Sequence, residues 1–253
     1  MRRRIIFAGI GMAAAALTAA SITASVLTAD SVSGASAARQ GIILGDAVDN
    51  LPSQTASDWV TYADHVVVVT ATSETVTPPT PTEIARGEGL IGRQVSLRID
   101  DVLWSRAGAP KPAPHVWEYS AFGWQFTEGD TSHRTRMALR DRPRVEVGHR
   151  YVMAMVWEEA RCSAGDEPEP AQWRGLGEGS EIPYDNNTIG QGELEGRAQT
   201  AVEARQMAAE AGPNLGLKHE LAGSGAALLA SKLKAAAPLV NKKFSPQSAT
   251  NCN

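Results

Sequence analysis

The chain has 253 residues, a formal net charge of -4 at pH 7 and two cysteines. An acidic balance is unsuited to a nucleic-acid partner, whose phosphates call for a basic surface. Two cysteines do not make a disulfide-dense scaffold. Arginine far outnumbers lysine and alanine is abundant, the composition of a GC-rich, actinobacterial type of genome.

Arg2, Arg3 and Arg4 precede an uncharged run from Ile5 to Ala29. A polar stretch, Asp30 to Ser36, leads into Ala35-Ser36-Ala37. A positive start, an apolar run and an A-x-A site are the pattern of a secretory signal peptide. Residues 1–37 are therefore expected to be removed after Ala37, leaving a secreted, extracellular protein. The alternative is an uncleaved transmembrane helix over residues 5–29 that anchors the chain with its domain outside. Loss of three arginines and Asp30 moves the formal charge from -4 to -6. Outside the cytoplasm, Cys162 and Cys252 are expected to form a disulfide. Its loop of about 90 residues predicts roughly 4 kcal/mol of stabilisation by restriction of the unfolded chain.

Residues 38–57 read as a flexible linker of small and polar residues, and Asp58–Ala63 as a helical turn. His65 to Val76 then reads as a strand. Its four consecutive valines, Val66 to Val69, predict burial on both faces. Proline at 78, 79 and 81 ends it. Leu90 to Trp104 is the next strand, with Val95, Leu97 and Ile99 alternating against Ser96, Arg98 and Asp100. The phase shift at Asp100-Asp101 predicts a bulge. Val116 to Phe126, Arg134 to Leu139 and Arg150 to Trp157 follow, the last apolar on both faces. Residues 161–192 read as an irregular loop segment. Within residues 193–253, Glu193–Ala211 and Gly225–Ala237 are predicted helices, ended by Gly212-Pro213 and Pro238.

Five strands between residues 58 and 160 predict a mainly β fold, a small antiparallel barrel followed by the irregular segment and two C-terminal helices. Three segments carry a resemblance: Ala63-Asp64-His65-Val66-Val67-Val68-Val69-Thr70, Val95 through Trp104, and Val147-Gly148-His149-Arg150-Tyr151-Val152-Met153. This region resembles the OB-like barrels of uncharacterised secreted bacterial proteins and, more remotely, netrin-like and metalloprotease-inhibitor barrels. The inhibitor branch implies a disulfide-bound N-terminal cysteine at the protease metal. No cysteine precedes Cys162, so that mechanism does not carry over.

No catalytic, cofactor-binding or metal site emerges as a motif. Asp185, Asn187 and Gly190 match positions one, three and six of a calcium loop, but Ile189 stands at five and Gly196 at twelve, where oxygen ligands belong. That stretch reads as an Asx-type turn. Asp100-Asp101 and Glu158-Glu159 point to opposite strand faces and do not make acid/base dyads. The histidines are scattered. Trp117, Tyr119, Trp124 and Phe126, with Phe122, form a candidate stacking platform for sugar rings, set against ordinary core packing. Lys232, Lys234, Lys242 and Lys243 beside Leu228, Leu229 and Leu233 suggest a basic amphipathic helix, either touching an anionic surface or docking its leucines. The expected function is a non-catalytic extracellular or envelope module that binds a protein or glycan. The alternatives are a secreted enzyme whose site assembles only in space, or a protease inhibitor acting through Thr77 to Arg86.

Overall fold

β-branched residues suit a pleated surface, and the valine run 66–69 sits at the centre of the structure. The computed structural model describes residues 41–46, 51–162, 168–212 and 216–240, among which ten strands and five α-helices form. Strand β2 (His65–Thr77) pairs antiparallel with β3 (Gly89–Ser105) on one side and β6 (Arg150–Glu158) on the other. Beyond β3 lie β4 (Val116–Thr127) and β5 (Asp130–Leu139), and β1 (Ile43–Gly45) adds parallel to β5. Beyond β6 lie β7 (Gln172–Gly175) and β8 (Glu181–Pro183), both pairing β6. A separate antiparallel ribbon joins β9 (Gly192–Leu194) to β10 (Arg197–Gln199).

The fold is mainly β, but the sheet is not hydrogen-bonded into a closed barrel. Among the described residues the strand path is open between β4 and the β7–β8 side. The reason lies in what fills the gap. Trp117 Nε1 on β4 donates to the Trp173 carbonyl on β7 at 3.1 Å, and Tyr119 Oη donates to Glu181 Oε1 on β8 at 2.7 Å. A ladder needs backbones about 4.8 Å apart. Rings standing between the strands replace that ladder with side-chain bonds.

Alternation along the central strands creates two cores. Val66 and Val68 of β2, with Val152 and Ala154 of β6, face a cluster that also holds Trp59, Leu217, Leu229 and Leu233. Val67 and Val69, with Tyr151, Met153 and Met155, face a second cluster inside the curl of the sheet, with Leu97 and Trp117. The curl is helped by bulges: β3 residues Leu103 and Asp100 are skipped in the pairing with Val66–Val69. The second skip is the bulge expected from the phase shift at Asp100-Asp101.

Helix α1 (Ala56–Tyr62) packs Trp59 into the first core. A capping box starts it: Thr55 Oγ1 accepts from Asp58 N at 3.1 Å, and Asp58 Oδ2 accepts from Thr55 N at 2.8 Å. The same device starts α2 (Pro81–Arg86) through Thr80 and Glu83, and α3 (Ala201–Ala211) through Thr200 and Glu203. Helices α4 (Leu217–Glu220) and α5 (Ala226–Ala235) are the last elements among the described residues.

Several expectations are corrected. The linker contains β1 and the start of α1. The irregular segment contributes β7 and β8. The first part of the helix expected at Glu193–Ala211 is the β9–β10 hairpin, turned by Glu195 (φ 54°) and Gly196 (φ 77°). Two consecutive residues in the left-handed region are the geometry of a tight hairpin turn, which a helix cannot contain. The C-terminal helices dock on the sheet: Leu229 and Leu233 are almost completely buried in the first core, as the docking alternative for these leucines implies. Their docking settles the leucine face of the basic helix. Lys232 pairs with Glu220, while Lys242, Lys243 and Cys252 lie outside the described residues.

Leu229→Ala should cost about 2–5 kcal/mol, the range for emptying a buried leucine site. Urea unfolding followed by tryptophan fluorescence should show one transition at a lower midpoint. An unmoved sheet transition would mean that the helices fold separately.

Candidate functional site

The inner core has two ends, and their chemistry differs. At one end the loop after β5 crosses the opening and carries a dense set of charges. Arg93, fully buried on β3, is the hub. Its Nη1 pairs with Glu74 at 2.6 Å and donates to the Val145 carbonyl at 3.1 Å. Its Nε donates to the Phe122 carbonyl at 3.0 Å, and its Nη2 to the Arg144 carbonyl. Arg144 donates to the carbonyls of Met137 (3.0 Å) and Gly123 (2.8 Å) and pairs with Glu146, which also takes Arg136.

Glu193 of β9 closes this network from the other side. Its Oε1 accepts from the backbone N–H of Arg144 at 3.0 Å and from that of Gly196. Its Oε2 accepts from Val145 N at 3.1 Å and Tyr151 Oη at 3.3 Å. The Val145 peptide is thus held from both sides by buried charge, at a φ of 55° that a β-branched residue rarely adopts. Such a conformation costs on the order of 1–3 kcal/mol and persists only where the surroundings over-determine it.

The ionisation of these groups follows from their settings. Burial pushes Glu193 above the ordinary carboxylate range, only partly offset by the N–H groups of Arg144 and Gly196. Burial also acts to raise Glu146, but Arg144, Arg136 and Arg93 outweigh it and hold Glu146 low. Beside this network, a small cleft of about 20 Å³ is lined by Tyr119, Phe122, Arg142 and Glu181, among others. Arg142 forks onto Glu181, with Nη2 to Oε1 at 2.6 Å and Nε to Oε2 at 3.2 Å. Burial, with Glu181 alongside, pushes the Tyr119 hydroxyl well above its usual range, so it remains a donor.

The other end is aromatic. Trp157 and Trp173 are direct cross-strand partners on β6 and β7, their rings 5.3 Å apart at 69°. Trp157 continues the inward face of β6 two residues beyond Met155. Both indoles are half-buried. His65, buried behind them, lies 5.3 Å from the Trp173 ring. Its Nε2 meets the Lys111 carbonyl at 2.8 Å and must carry the proton, since a carbonyl only accepts. When the ring is neutral, Nδ1 accepts from the Ser105 hydroxyl at 2.8 Å. Lys111 Nζ stands 5.7 Å from the Trp157 ring. Asp64, fully buried, accepts from Trp157 N at 2.7 Å and pairs with Arg106, tying this end to the start of β2.

Of the two readings of the β4 aromatics, the structure places most of them in core packing. Trp117 and Phe126 are buried, Trp117 in the inner core. Tyr119 is tied to Glu181, and Trp124 is flanked by the Arg134 and Arg144 guanidiniums at 4.2 and 5.2 Å. The inward face of β4 closes the curl, which uses up the rings a ligand would need; only Phe122, turned outward beside a bulge, is exposed. Asp185 accepts from His149 Nδ1 at 2.6 Å and Arg150 N at 2.8 Å, and Asn187 accepts from Arg150 at 2.7 Å. Those bonds, with Asn186 and Asn187 at positive φ, make the turn that the glycines and asparagines imply. Asp100 sits in the bulge and accepts from Thr70 and Arg98. Thr77 to Arg86 ends in the capped helix α2 rather than in an extended loop. Cys162 follows the Arg161–Glu169 bridge, and Cys252 lies outside the described residues. Sequence reasoning missed Trp157–Trp173 as a pair, along with Arg93 and Glu193, most of whose partners are distant in the chain.

No family model matches the chain, and no solved structure gives a significant match.

Glu193, buried, and Glu146, partly buried, predict opposite pH slopes. A raised folded-state pKa means that the contribution of Glu193 is full below its unfolded value, and is lost as pH rises through the folded one. Glu146, held low, contributes above its unfolded value and loses that contribution as pH falls through the folded one. The penalty of Glu193→Gln should therefore shrink as pH rises above the ordinary carboxylate value of 4.5, while that of Glu146→Gln should shrink as pH falls below it. Urea denaturation of both variants on either side of that value is the check. Parallel slopes would contradict the assignment.

Proposed function

We propose that this chain is an exported, non-catalytic binding module of the extracellular space or cell envelope. The export half of the reading rests on the Arg2–Ala37 pattern, which lies outside the described residues. No helix among the described residues is long and apolar enough to cross a membrane. The observation that carries the binding half is the partly exposed Trp157–Trp173 pair at one end of the inner core, with Lys111 and Glu159 beside Trp157. The buried charges at the other end are consumed by backbone and by one another, which suits a scaffold role. An OB-like barrel is our reading of the architecture. The cyclic neighbour order β2-β3-β4-β7-β6-β2 supports it, the β4–β7 step being made by side chains.

A second reading, a hydrolase, has one specific observation in its favour. Exposed Ser105 bonds to a histidine whose other nitrogen is oriented by a carbonyl, an arrangement of nucleophile, base and orienting group. Covalent labelling of Ser105 by a fluorophosphonate would favour it, and an unlabelled serine would remove it.

Mass spectrometry of the unreduced protein from culture medium and from washed membranes tests the main reading. The expected result is a chain beginning at Ala38 with a peptide linking Cys162 to Cys252. A chain beginning at Met1 in the membrane fraction would favour the anchored form. Retention of the full chain in the cytoplasm with two alkylatable thiols would overturn export.

A further inference from the structure

We propose that strand β2 carries a self-pairing edge, through which two copies of this chain join as an antiparallel dimer with its two-fold axis at Thr75. This goes beyond the binding-module reading and does not depend on it. Strand β6 covers one edge of β2 only from His65 to Thr70. That ladder ends where Gly148 N donates to the Ala71 carbonyl at 2.9 Å. Thr72 is then skipped in the pairing with β3, and such a bulge bends a strand away from its neighbour. From Ser73 to Thr77, β2 still pairs with β3, but its other edge has no strand partner among the described residues. All of these residues are exposed. Pro78, which has no N–H to give a ladder, closes the stretch.

An unpaired edge is a template for a further strand unless lysine, proline or an inward charge blocks it. Ser73–Thr77 contains neither lysine nor proline. Its one charge, Glu74, is already held by buried Arg93 at 2.6 Å.

The side chains of the edge say which strand fits it. Residues directly opposite one another in a ladder share a face. Glu74 and Val76 stand opposite Val95 and Arg93, both buried, and so lie on the inner face of the sheet. Ser73, Thr75 and Thr77 stand opposite Ser96, Gln94 and Gly92 on the outer face. A two-fold axis at Thr75 sets Thr75 against Thr75 of the second copy, and Ser73 against its Thr77. The outer face then becomes a row of hydroxyl pairs, a favourable cross-strand combination. On the inner face Glu74 meets Val76. An axis at Glu74 would oppose two carboxylates, which is unfavourable. An axis at Val76 would set Glu74 against Pro78, which cannot donate. Thr75 is also the midpoint of the free stretch, so this axis pairs the whole edge with itself. So short a ladder covers less than the roughly 800 Å² per side of a stable interface, and the dimer is therefore reversible.

Sedimentation velocity of the chain purified from culture medium, run from micromolar to millimolar concentration, tests this. The weight-average mass should climb from one copy towards two. Thr75→Lys and Thr75→Glu each set like charges face to face across the axis, and each should weaken self-association about tenfold. Thr75 is exposed, so both variants should keep the parental urea midpoint. Mixed in equal amounts, the two variants oppose unlike charges and should recover the dimer. A parent chain that stays monomeric throughout overturns the proposal. So does a dimer that neither variant weakens, since it would lie on another surface. A mixture that stays monomeric removes the axis at Thr75 and the proposal with it.

Discussion

The structure depends on the burial of one ladder from both sides. Strands β2 and β6 present Val66, Val68, Val152 and Ala154 to one core, and Val67, Val69, Tyr151, Met153 and Met155 to the other. Neither face can be left in water, so the helices must cover one side and the curl of the sheet must enclose the other. At about 25 cal/mol per Å² of apolar surface, these faces supply most of the drive for the whole arrangement. This explains why α1, α4 and α5, distant from one another in the chain, share a single cluster.

Curling the sheet creates two ends that need different solutions. Where β4 and β8 diverge, backbone and arginine side chains would be left buried without partners. Arg93, Glu193 and Glu146 meet that need and hold the crossing loop, at the cost of strain at Val145. Breaking one member of such a network is far more damaging than the net worth of its pairs, because the remainder stays buried and charged. Among the described residues the aromatic end has no such plug. It is filled by the edges of large rings, with part of their surface left facing solvent. The difference separates an end whose charges are consumed by the scaffold from one whose rings stay partly in solvent.

Much of the sheet was legible. β-branched runs and period-two alternation located β2, β3, β4 and β6 to within a residue or two, because strand burial imprints itself locally. The phase shift at Asp100 located a bulge for the same reason. Other local signals were present but unread. T-x-x-D/E at Thr55, Thr80 and Thr200 marks three helix starts, and Glu195-Gly196 marks the hairpin turn mistaken for helix. The alternation of Trp117 and Tyr119 with Glu118 and Ser120 is the local mark of the inward face of β4, the core packing weighed against a platform.

By itself the sequence determined the apolar faces, the breaks between strands and the pattern of an exported chain, since each is written in neighbouring residues. Only the tertiary structure decided which aromatics meet, which charges are buried and which surface remains open. Trp157 meets Trp173 across an acidic loop, and Arg93 meets Arg144, Val145 and Glu74 from three separate segments. Desolvation and stacking depend on distance in space, and these partners become neighbours only when the two cores close around β2 and β6.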